Sequence, residues 1–583
     1  MNIFTMARAR RVLIVLLATL LFRATLAPVA AQDDSTPTPE STTADVASPE
    51  ATNDGTATVT PTPARPVDIR FGVIESDEDP AAAGRLGVAW TRIRFQWADV
   101  QPNSPGEWNP PIDDEALDAE LDAGREVVGL LIGIPDWARD RQGLPRGLSL
   151  SPDDPDNLWA AFVNEAVSRY AGRIDRWIIW NEPDIDDRNA PGHTWDGTLD
   201  EFVQLQRVAY LTAKAANPEA IVHLGAFTYF WDPGYFARFL DAVAADPDAA
   251  AHNHYFDVAG AHLYFQPNAV YNVLHAFRKL MDARGLSQPI WLVETNAPPM
   301  DDPYWEVDNW TLAVTLNEQA AFIPQALAAA FAAGAERVSV YKLKDTEGDR
   351  AANPEPFGLI RWDNSRRPAF DTYRIAIRLM SGITAAERER WDAVAQVRLE
   401  QEGQSTTVLF ARLPGSQEAR VPATADEAEW VDMWGVRETI ESRDGYFTVE
   451  LPGALCTQTI ADYCMIGGTT YYLIQADDYP AREAIATATP IPPTATRTRP
   501  APTVEPSPAI ATATVSTTPE PARTALPTAT DGRPALGIPP EPTPAPPAAT
   551  TRANYSGLVV MGLGAVLGVG LAGWWLAGRR NGN

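Results

Sequence analysis

Cysteine is almost missing from this chain. Two residues, Cys456 and Cys464, in a length of 583 exclude a scaffold built on disulfides and any cysteine-rich metal site. Histidine is scarce as well, six in all, and no spacing among them reads as a ligand set, so no metal and no cofactor are expected. Basic residues fall short of acidic ones, 47 against 76, and the resulting net charge of -29 argues against nucleic acid and anionic membrane surfaces as partners. Long apolar runs are absent until the C-terminus. The one near the start, Val12 to Phe22, is too short to span a bilayer.

That first run follows Arg8, Arg10 and Arg11 and precedes small residues at Ala30 and Ala31, the plan of a secretory signal over 1–31, with an uncleaved anchor as the alternative. From Gly557 to Gly578 the chain carries no charge. About 20 such residues, rising about 1.5 Å each, cross a hydrocarbon core of about 30 Å. A transmembrane helix is therefore expected at 555–578. Arg579 and Arg580 hold the tail 579–583 in the cytoplasm and leave the rest outside, a single-pass cell-membrane protein. In that oxidising compartment Cys456 and Cys464 are expected to form one local disulfide. Thr, Pro, Ala and Ser dominate 32–66 and 479–554, which read as a disordered linker and a disordered, extended stalk.

Between these spacers the chain reads as α/β. Strand-like runs starting near Ile69, Val88, Val127, Trp177, Ile221, Phe256, Ile290 and Val338 alternate with amphipathic helices. The clearest helical face is Trp159, Phe162, Val163, Ala166, Val167 and Tyr170. Eight units in about 300 residues predict a (β/α)8 TIM barrel over 67–384. Short alternating segments and turn signals over 385–478 predict a small all-β sandwich domain, in which Trp430 and Trp434 are expected to serve the core more than to bind sugar.

In such a barrel the C-terminal strand ends form the reactive face. Strand four breaks into Trp180-Asn181-Glu182-Pro183, and strand seven ends Leu292-Val293-Glu294-Thr295. Two glutamates therefore reach one rim. Cleaving a glycosidic bond needs one protonated carboxyl group for the leaving oxygen and one ionised group at the sugar carbon, and this pair supplies both. Sugar rings have apolar faces, and Trp97, Trp137, Trp180, Trp195, Trp305 and Tyr341 lie on or near the rim. Trp137 is the best placed of them as a substrate platform. His252 and His254 precede strand six, at the other barrel end, and are expected in a surface loop.

These motifs resemble the clan A glycoside hydrolases, retaining enzymes on (β/α)8 barrels. The run Trp90-Thr91-Arg92-Ile93-Arg94-Phe95-Gln96-Trp97 together with Trp180-Asn181-Glu182-Pro183 is most similar to families 39 and 5. The resemblance implies Glu182 as acid/base, Glu294 as nucleophile and Asn181 as partner of the sugar 2-hydroxyl. It implies an arginine on strand two beside the nucleophile, Arg92 or, two residues on, Arg94. It also implies Tyr264 bonded to the nucleophile and His262 on sugar hydroxyls, against the plainer reading that both fill the barrel top. Strand eight, Tyr341-Lys342-Leu343-Lys344-Asp345, lacks the tryptophan that family 5 places there. The expected activity is hydrolysis of O-glycosidic bonds of oligo- or polysaccharides by double displacement at the cell surface. A non-catalytic carbohydrate-binding protein, a structural or adhesive surface protein and a transglycosidase are the alternatives.

Overall fold

A computed structural model describes residues 67–476, apart from 191, 309, 353 and 354. The expected signal, linker, stalk, transmembrane helix and tail lie outside the described residues.

The first eight strands are β1 (Phe71–Val73), β2 (Trp90–Gln96), β3 (Glu126–Ile132), β4 (Arg176–Asn181), β5 (Ile221–Ala226), β6 (Ala259–His262), β7 (Ile290–Thr295) and β8 (Ala335–Val340). They pair in the order β5-β4-β3-β2-β1-β8-β7-β6, every pair parallel. Bridges His223–Val258 and Phe227–Ala261 join the two outer strands and close the ring. Each start falls within three residues of its sequence-predicted position, because fully buried parallel strands announce themselves as apolar runs.

Outward side chains of the strands pack on a shell of helices. Phe95 and Trp177 meet Tyr170 of the helix Leu158–Tyr170, Phe95 at 5.1 Å between ring centres. That helix buries the six residues its periodicity picks out and starts where the Asn157 side chain accepts the Ala160 amide. Inward side chains build a floor. Trp291 lies against Trp90 at 4.9 Å and His223 at 4.5 Å, with the Arg337 guanidinium over its ring at 4.3 Å. Glu126 answers that charge by pairing with both Arg337 and Arg176.

The expected sandwich takes a different form. Strands β9 (Ile383–Trp391), β10 (Val394–Gln401), β11 (Gln404–Ala411), β13 (Glu427–Asp432), β14 (Arg437–Glu441) and β18 (Tyr471–Ala476) form one antiparallel sheet, ordered β14-β13-β18-β11-β10-β9. Alternation sends Val408, Val431 and Tyr472 into the barrel's apolar core and their neighbours Leu409, Trp430 and Leu473 into a second cluster. The two-stranded β12 (Gln417–Pro422) and β15 (Tyr446–Leu451) cover that second cluster. The barrel thus supplies one layer of the packing. Its helix Leu316–Ala332 is buried almost throughout, and Gln325 on it bonds Gly467 N and Gly468 O at 2.9 Å each. Trp430 stacks on Tyr471 at 4.6 Å within the second cluster, whereas Trp434 is exposed.

Gly129 in β3 sits beside Trp177 of β4, and a Cβ there would stand 2.4 Å from that ring. Gly129→Ala is expected to cost about 1–3 kcal/mol through overpacking, seen as a lower midpoint in thermal denaturation.

Candidate active site

The reactive side chains reach the barrel mouth because two strands break their alternation. Trp177 and Trp180, three residues apart, both face the outer helices, Trp180 packing on Trp159 and Trp195. The phase slips at Trp180, whose φ is +69°, and Glu182 follows with +48°. Such left-handed positions in bulky residues cost of order 1–3 kcal/mol each and persist only where neighbours enforce them. Here Glu182 N donates to Ala226 O at 3.0 Å, and the Thr194 hydroxyl donates to Asn181 O. On β7, Trp291 and Glu294 both point inward although they too are three apart. The pairing of β7 with β8 shifts register between Leu292 and Thr295, an irregularity that re-aims the side chain beyond it.

Glu294 is held on both oxygens. Arg92 Nη2 lies 2.5 Å from Oε1, and the Tyr264 hydroxyl donates to Oε2 at 2.5 Å. Of the two candidate arginines, Arg92 makes this ion pair while Arg94 turns to Gln96 Oε1, at 2.8 Å and 3.1 Å. His262 stands between the carboxylates, its Nδ1 2.8 Å from Glu182 Oε1 and 3.4 Å from Glu294 Oε2. A protonated Glu182 donates to bare Nδ1, and an ionised Glu182 accepts from Nδ1–H, so the contact survives either placement of the proton. One oxygen of Glu182, one of Glu294 and a His262 ring nitrogen all lie within 4.8 Å of one another.

All five groups are buried, and burial works against ionised carboxylates. At Glu182 burial wins: it pushes the carboxyl up to about 7, against the His262 contact and reinforced by the charges of Glu294 and Asp184. Burial acts on Glu294 in the same direction, but His262, Arg92 and the Tyr264 hydroxyl outweigh it and hold that carboxyl below the ordinary glutamate value. Burial and the Glu294 charge keep Tyr264 neutral far above the usual tyrosine range.

Glu182, His262 and Glu294 also form a donor set that a metal ion can use. The cationic Arg92 on Glu294 disfavours a second cation there, and Tyr264 occupies the other oxygen.

The remaining predicted residues divide. Asn181 is half-buried at the rim, and its side-chain amide has no hydrogen bond among the described residues. Trp137 is half-buried, donating to Gln101 O at 2.7 Å and lying edge-on to Trp97 at 5.9 Å. Trp97, Trp180, Trp195 and Trp305 are core residues. Tyr341 is half-buried and close enough to Arg92, Arg94 and Glu294 to feel their charges. His252 is exposed in the turn before β6. Cys456 and Cys464 are joined by a disulfide.

Two supporting residues escaped the sequence reading. Asp184 is buried and accepts from Thr228 N, Thr228 Oγ1 and Tyr229 N, tying the loop after β4 to the loop after β5. Asn296 donates to Tyr341 O at 2.7 Å and Phe357 O at 2.6 Å, tying β7 to the end of β8. Their only signal was position, two residues beyond each glutamate.

Among solved structures the chain is similar to a family 39 glycoside hydrolase from the gut symbiont Bacteroides cellulosilyticus WH2, at 17% identity and a TM-score of 0.53, covering 70% of this chain and 81% of that one. A glucosidase from Croceicoccus marinus aligns at 14% identity and 0.46, over 68% and 91% of the two chains. A monomeric beta-xylosidase from Caulobacter crescentus CB15 aligns at 14% and 0.44, over 71% and 97%. The first likeness shows a shared barrel fold. No protein-family model and no curated protein matches the chain.

Carbon-13 NMR of glutamate-labelled protein, with Glu182→Gln and Glu294→Gln used for assignment, is expected to show Glu182 titrating above and Glu294 below the ordinary value. Arg92→Met should move the Glu294 transition upward, because it removes a positive charge from the carboxylate.

Proposed function

We propose that this chain is a retaining glycoside hydrolase of the clan A type that cleaves O-glycosidic bonds of oligo- or polysaccharides. One observation carries the reading: two rim carboxyl groups lie within about a hydrogen bond of one histidine, and their surroundings push one toward the acid form and the other toward the ion. Opposed protonation of neighbouring carboxyl groups is the arrangement that glycoside cleavage requires.

In the first step Glu294 attacks the anomeric carbon while Glu182 gives its proton to the leaving oxygen, and a covalent glycosyl-enzyme forms. In the second, Glu182 takes a proton from water, the water oxygen bonds to the anomeric carbon, and Glu294 departs. The close approach of the oxygens, within 4.8 Å, supports retention. Inverting pairs stand about 6.5–9.5 Å apart to admit a water, retaining pairs about 5–5.5 Å. As Glu294 loses charge on bonding to sugar, Arg92 and Tyr264 favour its return as leaving group. Asn181, with an uncommitted amide beside Glu182, is suited to a sugar hydroxyl, and Trp137 is the aromatic wall nearest strand three. The enzyme domain is proposed to stand outside the cell on the 479–554 stalk, held by the 555–578 helix, a topology drawn from the sequence alone.

Glu182→Gln should lower kcat/KM on an unactivated glycoside by about 10²–10⁴-fold, the usual share of general acid catalysis. Proton NMR of the first-formed product should show retained anomeric configuration, and inversion would refute double displacement. The pH profile of kcat/KM should be bell-shaped. Activity fails as pH falls through the lowered Glu294 value, where the nucleophile is protonated, and as pH rises through the raised Glu182 value near about 7, where the acid is lost.

A further inference from the structure

A cavity of about 320 Å³ lies where the β domain meets the barrel, away from the carboxylate pair. Its barrel side is the first turns of the helix Pro267–Asp282 with Gln266 just before it. Its other side is Trp391 at the end of β9 and the hairpin of β16 (Thr459–Ile460) and β17 (Tyr463–Cys464), which the disulfide to Cys456 closes off.

The lining has a distinct chemistry. Gln266, Asn268 and Asn272 present three neutral side-chain amides, and among the described residues none of them makes a side-chain hydrogen bond. Trp391 and Tyr463 add aromatic surface. Arg412 is the cation at the site, and its Nη1 donates to the carbonyls of Trp391 at 2.7 Å and Asp392 at 2.9 Å while its guanidinium covers the Tyr463 ring at 4.0 Å. A guanidinium so engaged, in a lining that also holds Asp462, does not make an anion site. Amides that both donate and accept, set beside aromatic rings, match a ligand with many hydroxyls and apolar faces. The volume sits at the lower end of the range for ligand pockets, about 300–1,000 Å³, which suits a short ligand.

We propose that this cavity is a second saccharide-binding site, in which a neutral sugar unit packs against Tyr463 and Trp391 and hydrogen-bonds to the amides of Gln266, Asn268 and Asn272. The choice of sugar leans on the proposed function, since a glycan is the substrate's own chemistry. The disulfide then has a role beyond the fold: it holds the outer wall that carries Tyr463.

Calorimetric titration of the full-length Glu294→Gln protein with cellobiose, xylobiose, mannobiose and lactose tests the site. At least one disaccharide should bind, and Asn272→Ala and Tyr463→Leu should each weaken that binding by about tenfold or more. In the otherwise unaltered protein the same two substitutions should leave kcat/KM on an aryl glycoside within about twofold, because neither residue touches the carboxylate pair. Asn268→Ala, at a half-buried position on the same cavity wall, carries the same expectation should Tyr463→Leu fail to fold. Absence of binding by all four sugars, or binding indifferent to these substitutions, overturns the site even if hydrolysis is observed. Binding that depends on Asn272 in a protein without hydrolytic activity supports the site and removes the proposed function.

Discussion

Arg92 projects from β2 into the barrel with 6% of its surface exposed, and a charge kept that far from water demands a counter-charge. Glu294 supplies it. Breaking such a buried pair from one side typically costs about 3–5 kcal/mol, so each residue fixes the identity and ionisation of the other. Once Glu294 is an ion, a second carboxylate at the same mouth meets both burial and like charge, and Glu182 is driven toward its acid form. His262 tolerates this asymmetry because its ring can face a protonated or an ionised Glu182. The division of labour between the glutamates thus begins with an arginine that takes no part in bond breaking.

Geometry imposes the matching constraint. A regular strand turns every second residue to one side, and a tryptophan floor such as Trp291 with the alternation kept would point Glu294 at the helices. The register shift on β7 and the left-handed Trp180 on β4 reverse the phase just before each glutamate. Asp184 and Asn296 then pin the two irregular stretches to neighbouring strand ends. The mouth is held by hydrogen bonds between loops, where the floor is held by packed rings.

This explains what the sequence disclosed and what it hid. The eight strands were legible because burial on both faces writes an apolar run, and the helix Leu158–Tyr170 because one buried face writes a 3.6-residue period. Trp-Asn-Glu-Pro marked Glu182 because a proline after a polar strand end is hard to reconcile with a continuing strand. Arg92 and Arg94 stayed ambiguous, since they lie two residues apart on one strand and only their height along β2 relative to Glu294 separates them. In the β domain β9, β10, β12, β14 and the hairpin of β16 and β17 went unseen. β9 and β14 are mostly exposed and rich in charge, and β16 is only two residues long, so none of these writes an apolar run. The second cavity was also out of reach, because Asn272, Trp391 and Tyr463 come together only when the β domain docks.

The helix Leu316–Ala332 carries almost no residue that meets water, because strands lie on one side of it and the β sheet on the other. A helix wrapped in this way belongs to neither part more than to the other. The border near Ile383 is therefore a line in the chain and not a seam in the solid: a gene fragment ending there would make a barrel with an oily flank. Recombining the barrel alone would leave that flank to be covered by whatever replaced the second half.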